Sequence, residues 1–415
     1  MLKKLLAMFL SIFVVFSLTS CSLISHERPS PAPSSPPAES IPSDGMKSSA
    51  PSASSQNHFD ENEFPQPVNL HAYEKLTKLQ ALVYDHIKDA VMSLSENTED
   101  LGKDVEMADV DAAFIAFLND NPSCFWLNKS FTLKSSALTK YIALEYTVEN
   151  SEQLKTQQTE LLAKLSEAQA LINSGMSSFE KELVLHDWML SSITYSQEAA
   201  SDSDGKFPET YTAYGALVTK SAVCEGYSRA MQLLLHMVGI DNYLIYGEVD
   251  NNSHMWNIVE IDGEKYHLDS TWDDPQTNDG RKKITHSYFN VTDELISKSH
   301  SKFDPQNCNS TSANYFAMNN LLFSQYDEAV KEELKKAVFN AAKAESKYME
   351  FAFSNGTIYS HAYDSLFEND EMFKIINEAL KDVEDTKINS NKLSFSTKDT
   401  NTNIITIEFS FEEEE

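Results

Sequence analysis

Residues 221–240 read SAVCEGYSRAMQLLLHMVGI and predict an amphipathic helix that begins at a cysteine. Apolar side chains recur there at helical spacing before Gly239, a residue type that commonly ends helices; they are Tyr227, Ala230, Met231, Leu234, Leu235 and Val238. Cys224 is therefore expected at the helix N-terminus, where unpaired N–H groups and the helix dipole favour an anionic sulfur. A thiolate is the nucleophilic form of cysteine, although Cys224 alone is equally well explained as a small buried side chain.

The chain after this helix predicts a strand and then a hairpin. Residues 241–249 form the first strand, and residues 253–272, SHMWNIVEIDGEKYHLDSTW, contain the turn dipeptide Asp262-Gly263. Pairing around this turn sets Ile261 opposite Glu264. The register of the whole hairpin follows, because a slip of one residue would move every side chain to the other face.

In that register, His254 and Asp269 lie on one face of the hairpin. Trp256 is opposite Asp269, so His254 and Asp269 are diagonal neighbours, about 7–8 Å apart at the backbone and within side-chain reach. Taken singly, His254 would be a structural histidine and Asp269 a turn or ion-pair residue. Together with Cys224 they supply what nucleophilic acyl transfer needs: a thiol, an imidazole that exchanges its proton, and a carboxylate that orients the imidazole.

Three blocks of this region resemble the transglutaminase-like superfamily: TAYGALVTK, AVCEGYSRA and SHMWNIVEIDGEKYHLDSTWDDP. The resemblance covers about residues 180–275 and implies that Cys224, His254 and Asp269 are nucleophile, base and orienting acid, in that order. It also implies a papain-like fold, with the nucleophile helix packed on an antiparallel sheet. The arrangement of the whole chain is similar to that of bacterial lipoproteins with such a core.

The N-terminus predicts export and lipid attachment. Lys3 and Lys4 precede an apolar run that ends in Leu-Thr-Ser-Cys at Cys21, a pattern typical of a secretory signal and similar to a lipobox. That similarity implies cleavage before Cys21 and lipidation of its sulfur; a plain signal peptide or an anchor helix is the alternative. Residues 22–66 are rich in Ser, Pro and Ala and predict an extended tether that reaches on the order of 100 Å.

The predicted fold class is α+β, a papain-like core flanked by two small α+β units. The predicted segments are a lipoprotein signal peptide with its cysteine, a disordered tether, an N-terminal α+β unit, a transglutaminase-like catalytic domain and a C-terminal α+β unit, at residues 1–21, 22–66, 67–150, 151–313 and 314–415. We expect the folded part to keep its structure without residues 1–66, which offer no periodic apolar face.

Several classes of site are not expected. The net charge of −30 argues against nucleic acid as a partner. No His/Cys cluster has metal-binding spacing and no Gly-rich phosphate loop is present, so neither a metal nor another cofactor is predicted. Asp202 begins what resembles a calcium loop without its later ligands, and we interpret it as a turn. Cys124 and Cys308 are weak candidates for a disulfide, and Tyr214 is expected to pack rather than to bind an oxyanion.

These observations predict a surface-tethered transglutaminase-like cysteine acyltransferase or peptidase. It would attack amide or peptide bonds of proteins or wall peptides, form a thioester, and be held by its N-terminal lipid on the outer face of a bacterial membrane. The triad chemistry does not distinguish hydrolysis from cross-linking, and the oligomeric state stays open. The alternative from another class is a catalytically silent binding or scaffold lipoprotein that retains the fold.

Overall fold

The computed structural model describes residues 63–136, 138–202, 204–276, 282–383, 386–396, 398 and 401–411, together with the backbone of Val14–Phe16. Cys21, the predicted lipidation site, and the predicted tether up to residue 62 lie outside these residues. Within the described ranges, no helix is long and apolar enough to cross a membrane.

The first part of the chain forms a helical pair and a small antiparallel sheet. Helices α1 and α2 pack together, strands β2 and β3 form a hairpin, and the short strand β1 pairs with β2; their bounds are β1 Val14–Phe16, α1 Lys78–Met92, α2 Met107–Asp120, β2 Leu127–Ser135 and β3 Lys140–Tyr146. Apolar side chains already recur at helical spacing from Tyr73, but helix α1 begins only at Lys78. Thr77 and Gln80 form a capping box that starts it at Lys78, and Tyr73–Lys75 form a separate 3-10 turn.

The middle of the chain places helices against a four-stranded antiparallel sheet. Its helices are α3 Ser151–Gln169, α4 Ser178–Ser192, α5 Gln197–Ser201, α6 Cys224–Met237 and α7 Asp293–Ile296. Its strands are the parallel pair β4 Thr194–Tyr195 and β5 Ser221–Ala222, and the sheet strands β6 Asn242–Val249, β7 Asn252–Ile261, β8 Glu264–Leu268 and β9 His300–Ser301. The sheet order is β8-β7-β6-β9, and α6 packs on β6 and β7.

Turn chemistry sets the register of this sheet as the sequence predicts. Asp262 and Gly263 both have positive φ, 53° and 83°, which matches a two-residue hairpin turn that requires left-handed backbone at both positions. Ile261 pairs with Glu264, and the ladder continues to Asn257 opposite Leu268. The predicted register is therefore confirmed.

The C-terminal part forms a second mixed layer. Its strands run in the order β10-β11-β13-β12. The elements are α8 Tyr315–Met318, β10 Leu322–Phe323, α9 Glu328–Lys343, β11 Tyr348–Phe353, α10 Gly356–Tyr363, α11 Glu371–Leu380, β12 Ile388–Phe395 and β13 Ile404–Phe411. The chain thus has the predicted α+β fold, with α6 packed on an antiparallel sheet.

Buried apolar side chains fall into two large clusters. One contains side chains from Val83 to Ala313, so residues of the predicted N-terminal unit and of the predicted catalytic domain share one core. The other contains side chains from Phe323 to Phe409 and belongs to the C-terminal part alone. The unit boundaries proposed from the sequence stay predictions.

Candidate active site

Cys224 is the first residue of helix α6, as the sequence predicts. Val223 is its N-cap, with extended backbone, and the side chain of Cys224 is 7% exposed. The segment before the helix is held against the chain at Thr210, whose carbonyl accepts the backbone N–H of Val223 at 3.0 Å. A Cβ at Gly226 would collide with the same carbonyl oxygen, so the close approach that fixes the helix start requires glycine there.

The first turn of α6 is hydrogen-bonded to the strand that carries His254. The Ser228 hydroxyl lies 2.8 Å from the carbonyl oxygen of Cys224 and 2.9 Å from that of Met255, the residue after His254. One turn further along, the Asn257 side chain donates to the Ser228 carbonyl at 3.0 Å. These buried hydrogen bonds join the first turn of α6, which begins at Cys224, to the strand that carries His254.

His254 and Asp269 meet as the hairpin register predicts. His254 Nε2 lies 2.7 Å from Asp269 Oδ2, and Asp269 is completely buried. The other carboxylate oxygen accepts the backbone N–H groups of Thr271 and Trp272 at 3.0 and 3.3 Å. Burial acts to raise the pKa of Asp269, but the charge and hydrogen bond of His254 outweigh it and hold that pKa below its usual value. The carboxylate is thus anionic and fixed in orientation.

A second histidine shares this carboxylate, and the sequence analysis missed it. His300 Nε2 lies 2.9 Å from Asp269 Oδ2, and the imidazole of His300 is fully buried. Its other ring nitrogen faces the Ser299 hydroxyl at 2.9 Å, and the Tyr288 hydroxyl donates to Ser299 at 3.1 Å. The Ser299 hydroxyl accepts a hydrogen bond from Tyr288 and can donate its own hydrogen to Nδ1 of His300. The hydrogen of the His300 imidazole is then on Nε2, which donates it to Asp269.

Trp256 is a core residue that also packs against the His254 imidazole. The two rings are stacked, with centroids 5.8 Å apart, and Trp256 is completely buried. Its indole N–H donates to His267 Nδ1 at 2.8 Å, so the hydrogen of His267 is on Nε2 and is donated to Asp293 at 2.7 Å. A Cβ at Gly247, the strand partner of His254, would come within 2.7 Å of this indole.

The residue after the cysteine carries a buried ionic group. Glu225 lies 2.7 Å from Lys129 and 3.0 Å from Arg229, and all but 5% of its side chain is buried. Burial acts to raise the pKa of Glu225, but the charges of Lys129 and Arg229 outweigh it and lower the pKa. Lys129 belongs to β2, so this ionic group ties the start of α6 to the N-terminal sheet.

The other residues considered from the sequence have structural roles. The Tyr214 hydroxyl donates to Glu160 at 2.5 Å and its ring stacks on Phe125, which confirms packing. Asp202 accepts the backbone N–H groups of Asp204 and Lys206, as a turn residue does. Cys124 and Cys308 are free and buried, in different apolar clusters, so the disulfide considered between them is absent.

Metal-ligand spacing is absent from the sequence, but among the residues that the structure describes the fold brings together three groups of side chains that could hold an ion. Within each group the donor atoms lie within 4.8 Å of one another. The groups are His254, Asp269 and His300; His267, Asp293 and Cys308; and His186, Asp187 and His286. The first two contain the hydrogen bonds described above, and the third lies on α4 and the loop before α7.

Comparison with known proteins identifies the middle of the chain. Residues 166–270 match the sequence family described as the transglutaminase-like superfamily. The chain has a transglutaminase-like core. The matched range contains Cys224, His254 and Asp269, and members of this superfamily are generally cysteine enzymes that act on protein or peptide substrates.

Solved structures similar to this transglutaminase-like chain include a TGase, at a TM-score of 0.27 and 18% identity, covering 36% of this chain and 46% of that one. They also include the periplasmic domain of TgpA from Pseudomonas aeruginosa, at a TM-score of 0.19 and 16% identity, covering 33% of this chain and 56% of that one. The chain therefore spans about half of each of these chains. No curated protein sequence matches it.

Proposed function

We propose that this transglutaminase-like protein is a cysteine acyltransferase or peptidase that attacks amide or peptide bonds through Cys224, His254 and Asp269. The observation that carries the proposal is the buried pair of His254 Nε2 and Asp269 Oδ2, which are 2.7 Å apart. The strand of His254 is hydrogen-bonded to the first turn of the Cys224 helix. A carboxylate on Nε2 leaves Nδ1 of His254 as the nitrogen that serves the thiol.

In the proposed reaction, His254 Nδ1 takes the proton of the Cys224 thiol and the sulfur forms a bond to the substrate carbonyl carbon. The carbonyl oxygen becomes an oxyanion, which the backbone N–H groups at the start of α6 would stabilise. Collapse of this intermediate breaks the C–N bond, and the amine leaves with the proton from His254. Water or a second amine then attacks the thioester and releases the sulfur.

The substrate class that fits is a protein or a peptide, including the peptide portion of a cell wall. Export through the N-terminal signal, lipidation of Cys21 and display on the tether of residues 22–66 complete the proposal. In this position an enzyme would reach surface proteins and wall peptides alike. Whether water or an amine resolves the thioester is decided by the product spectrum on mixed peptide and peptidoglycan substrates, with and without added amine.

The proposal is tested by labelling with iodoacetamide, read peptide by peptide in a mass spectrometer. Burial raises the pKa of Cys124 and of Cys308 to about 12 in each case, so these two thiols are internal references for slow labelling. We expect Cys224 to react much faster than both, and His254→Ala to abolish that advantage. Labelling of Cys224 that is unchanged by His254→Ala would support the silent scaffold instead.

The carboxylate is tested by Asp269→Asn. The amide keeps the shape of the side chain but favours the wrong tautomer of His254, so we expect kcat/KM to fall about 10²–10⁴-fold, by analogy with other triads. Steady-state kinetics on a peptide amide provide the measurement, with the melting temperature as the control for folding. A variant with wild-type kcat/KM would remove Asp269 from the mechanism.

A further inference from the structure

A second cluster of buried histidines and carboxylates lies apart from the proposed triad, where α4 meets the C-terminal part. His186 and Asp187 are neighbours on α4, and His286 comes from the loop that follows Asp273. Asp187 Oδ1 lies 2.9 Å from His186 Nδ1 and 3.0 Å from His286 Nε2. Two imidazole nitrogens thus meet one carboxylate oxygen, and the three atoms lie within 4.8 Å of one another.

The outer nitrogen of each imidazole faces another buried carboxylate. His186 Nε2 is 3.4 Å from Asp273 Oδ2, and His286 Nδ1 is 3.2 Å from Glu350 Oε2. His286 thus has the arrangement that metal-binding histidines adopt in proteins, where a carboxylate holds the second ring nitrogen and fixes the tautomer and the ring plane.

The outer carboxylates are themselves fixed. The Tyr288 backbone N–H donates to Asp273 at 2.9 Å, and the Thr406 hydroxyl donates to Glu350 at 3.2 Å. The ring of Tyr315 stacks on the His286 imidazole with a centroid distance of 3.7 Å and an interplanar angle of 6°. Both inner nitrogens are therefore held in place by packing and hydrogen bonds.

Two buried atoms of this cluster lack a hydrogen-bond partner among the described residues. They are His186 Nε2 and Asp273 Oδ2, which face each other, and both side chains are completely buried. A cation on His186 Nδ1 would place the ring hydrogen on Nε2, where it would be donated to Asp273. Asp273 and Glu350 are both buried carboxylates, and a buried carboxylate needs a compensating charge.

The cluster is open on one side. The Asp187 side chain is 42% exposed, and Asp187, His286, Tyr315 and Glu350 line a cleft of about 860 Å³ between the catalytic region and the C-terminal part. A water molecule or a ligand in this cleft can reach a fourth coordination position.

We propose that His186 Nδ1, His286 Nε2 and Asp187 Oδ1 bind one divalent transition-metal ion of the zinc class, with the fourth position open to the cleft. Imidazole and carboxylate ligands suit such ions, and three protein ligands with one open position are a common zinc arrangement. Because Glu350 belongs to β11 and Asp273 lies four residues after Asp269, the ion would link the C-terminal sheet to the loop that carries the proposed acid.

The two other groups of possible ligands fit an ion less well. His267 Nδ1 accepts from the Trp256 indole, so the nitrogen facing Asp293 carries the hydrogen. In the group around Asp269, His300 has a hydroxyl rather than a carboxylate behind it, and Asp269 is completely buried.

The test is the metal stoichiometry of the full chain with the Cys224→Ala substitution, which removes a competing thiol. Protein treated with a chelator is titrated with Zn²⁺ by calorimetry and with Co²⁺ by visible absorption. We expect one equivalent of each ion to bind, and His186→Gln and His286→Gln each to lose that binding. His361→Gln, at an exposed histidine of α10, is the matched control and should bind as the parent does.

If the inner variants fail to fold, Glu350→Gln provides the second measurement. It leaves all three ligands in place and removes one outer carboxylate, so the Zn²⁺ affinity should fall about 10–100-fold. Absence of stoichiometric binding in the parent, or equal affinity in the parent, His286→Gln and Glu350→Gln, would overturn the proposal. Neither readout uses enzymatic activity, so the result is independent of the proposed reaction.

Discussion

At the residue scale, the proposed acid is held more firmly than a simple triad requires. Asp269 Oδ1 accepts two backbone N–H groups, and Asp269 Oδ2 faces two imidazoles. The carboxylate therefore cannot rotate without breaking several bonds in a site that water does not reach. We interpret His300 as a positioning residue, because its contact is with Asp269.

His300→Phe and His300→Gln separate positioning from simple packing. Phenylalanine keeps the ring but removes the donor, and glutamine places an N–H close to the position of Nε2. A hydrogen bond to a charged group contributes about 1.5–3 kcal/mol, so we expect His300→Phe to lower kcat/KM about 10–100-fold. Glutamine should restore most of the loss.

The measurement for this pair is kcat/KM on a peptide amide, with the melting temperature of each variant as the control. If both variants lose kcat/KM equally while remaining folded, loss of the hydrogen bond between His300 and Asp269 is not the cause of the decrease. If His300→Phe retains full activity, Asp269 does not need the second imidazole.

Partners within one hairpin could be predicted from the sequence, whereas partners far apart in the chain could not. His254 and Asp269 could be paired because Asp262-Gly263 fixes the register and side chains alternate along strands. His300 lies 31 positions after Asp269, beyond irregular chain where no period applies. His286 is 99 positions from Asp187, so no local spacing could indicate that cluster.

At the scale of elements, helix α6 is enclosed on every side. All fourteen residues from Cys224 to Met237 are buried, including polar ones. The apolar stripe in the sequence predicts the position of helix α6 correctly. It also predicts that the polar face of this helix is exposed to solvent, and that prediction is wrong. That face is covered by the N-terminal unit, where Gln232 and Arg229 donate to the carbonyls of Asn119 and Leu118.

His236, in the last turn of α6, should make the protein less stable in acid. Both its ring nitrogens lack hydrogen-bond partners among the described residues. Burial lowers the pKa of His236 from 6.5 to about 4, with Asp241 acting in the opposite direction and His71 adding to the decrease. As the pH falls from about 6.5 to 4, the unfolded chain gains a proton that the folded chain does not, so the free energy of unfolding decreases.

His236→Leu removes this titration. We expect the variant to gain stability relative to wild type as the pH falls through this window, by up to about 3 kcal/mol at pH 4. Urea unfolding at several pH values gives the measurement, and His361→Leu is the exposed control. Parallel stability curves for wild type and His236→Leu would show that the buried imidazole does not cause the acid sensitivity.

At the scale of the whole molecule, the two large apolar clusters separate the C-terminal part from the rest. Residues of the predicted N-terminal unit belong to the larger cluster. The sequence shows where apolar residues begin to recur at regular spacing. It could not show which units share a core, because a shared core depends on contacts between distant segments. Phe64 packs against the larger cluster, so a truncation that keeps the fold should begin at residue 63 rather than 67.

The proposed anchoring is tested by Cys21→Ser in the full-length protein. Without the sulfur no lipid can be attached at residue 21, so we expect the protein to be released or to remain as an uncut precursor. Membrane fractionation and the mass of the mature chain provide the measurement. A variant that is cleaved and retained as wild type would contradict the lipoprotein interpretation.

The position of His300 has a consequence for the order of folding. Helix α6 depends on partners 111 and 113 positions earlier, and Asp269 receives its second imidazole from a residue 31 positions later. Contacts between residues so far apart in the chain form slowly, because a long loop must lose entropy on closing before the contacts can stabilise the fold. During synthesis, Cys224 and His254 would therefore be present well before His300 fixes the carboxylate of Asp269. The proposed nucleophile would have its complete site only after the segment that contains His300 has been synthesised and has paired with β6.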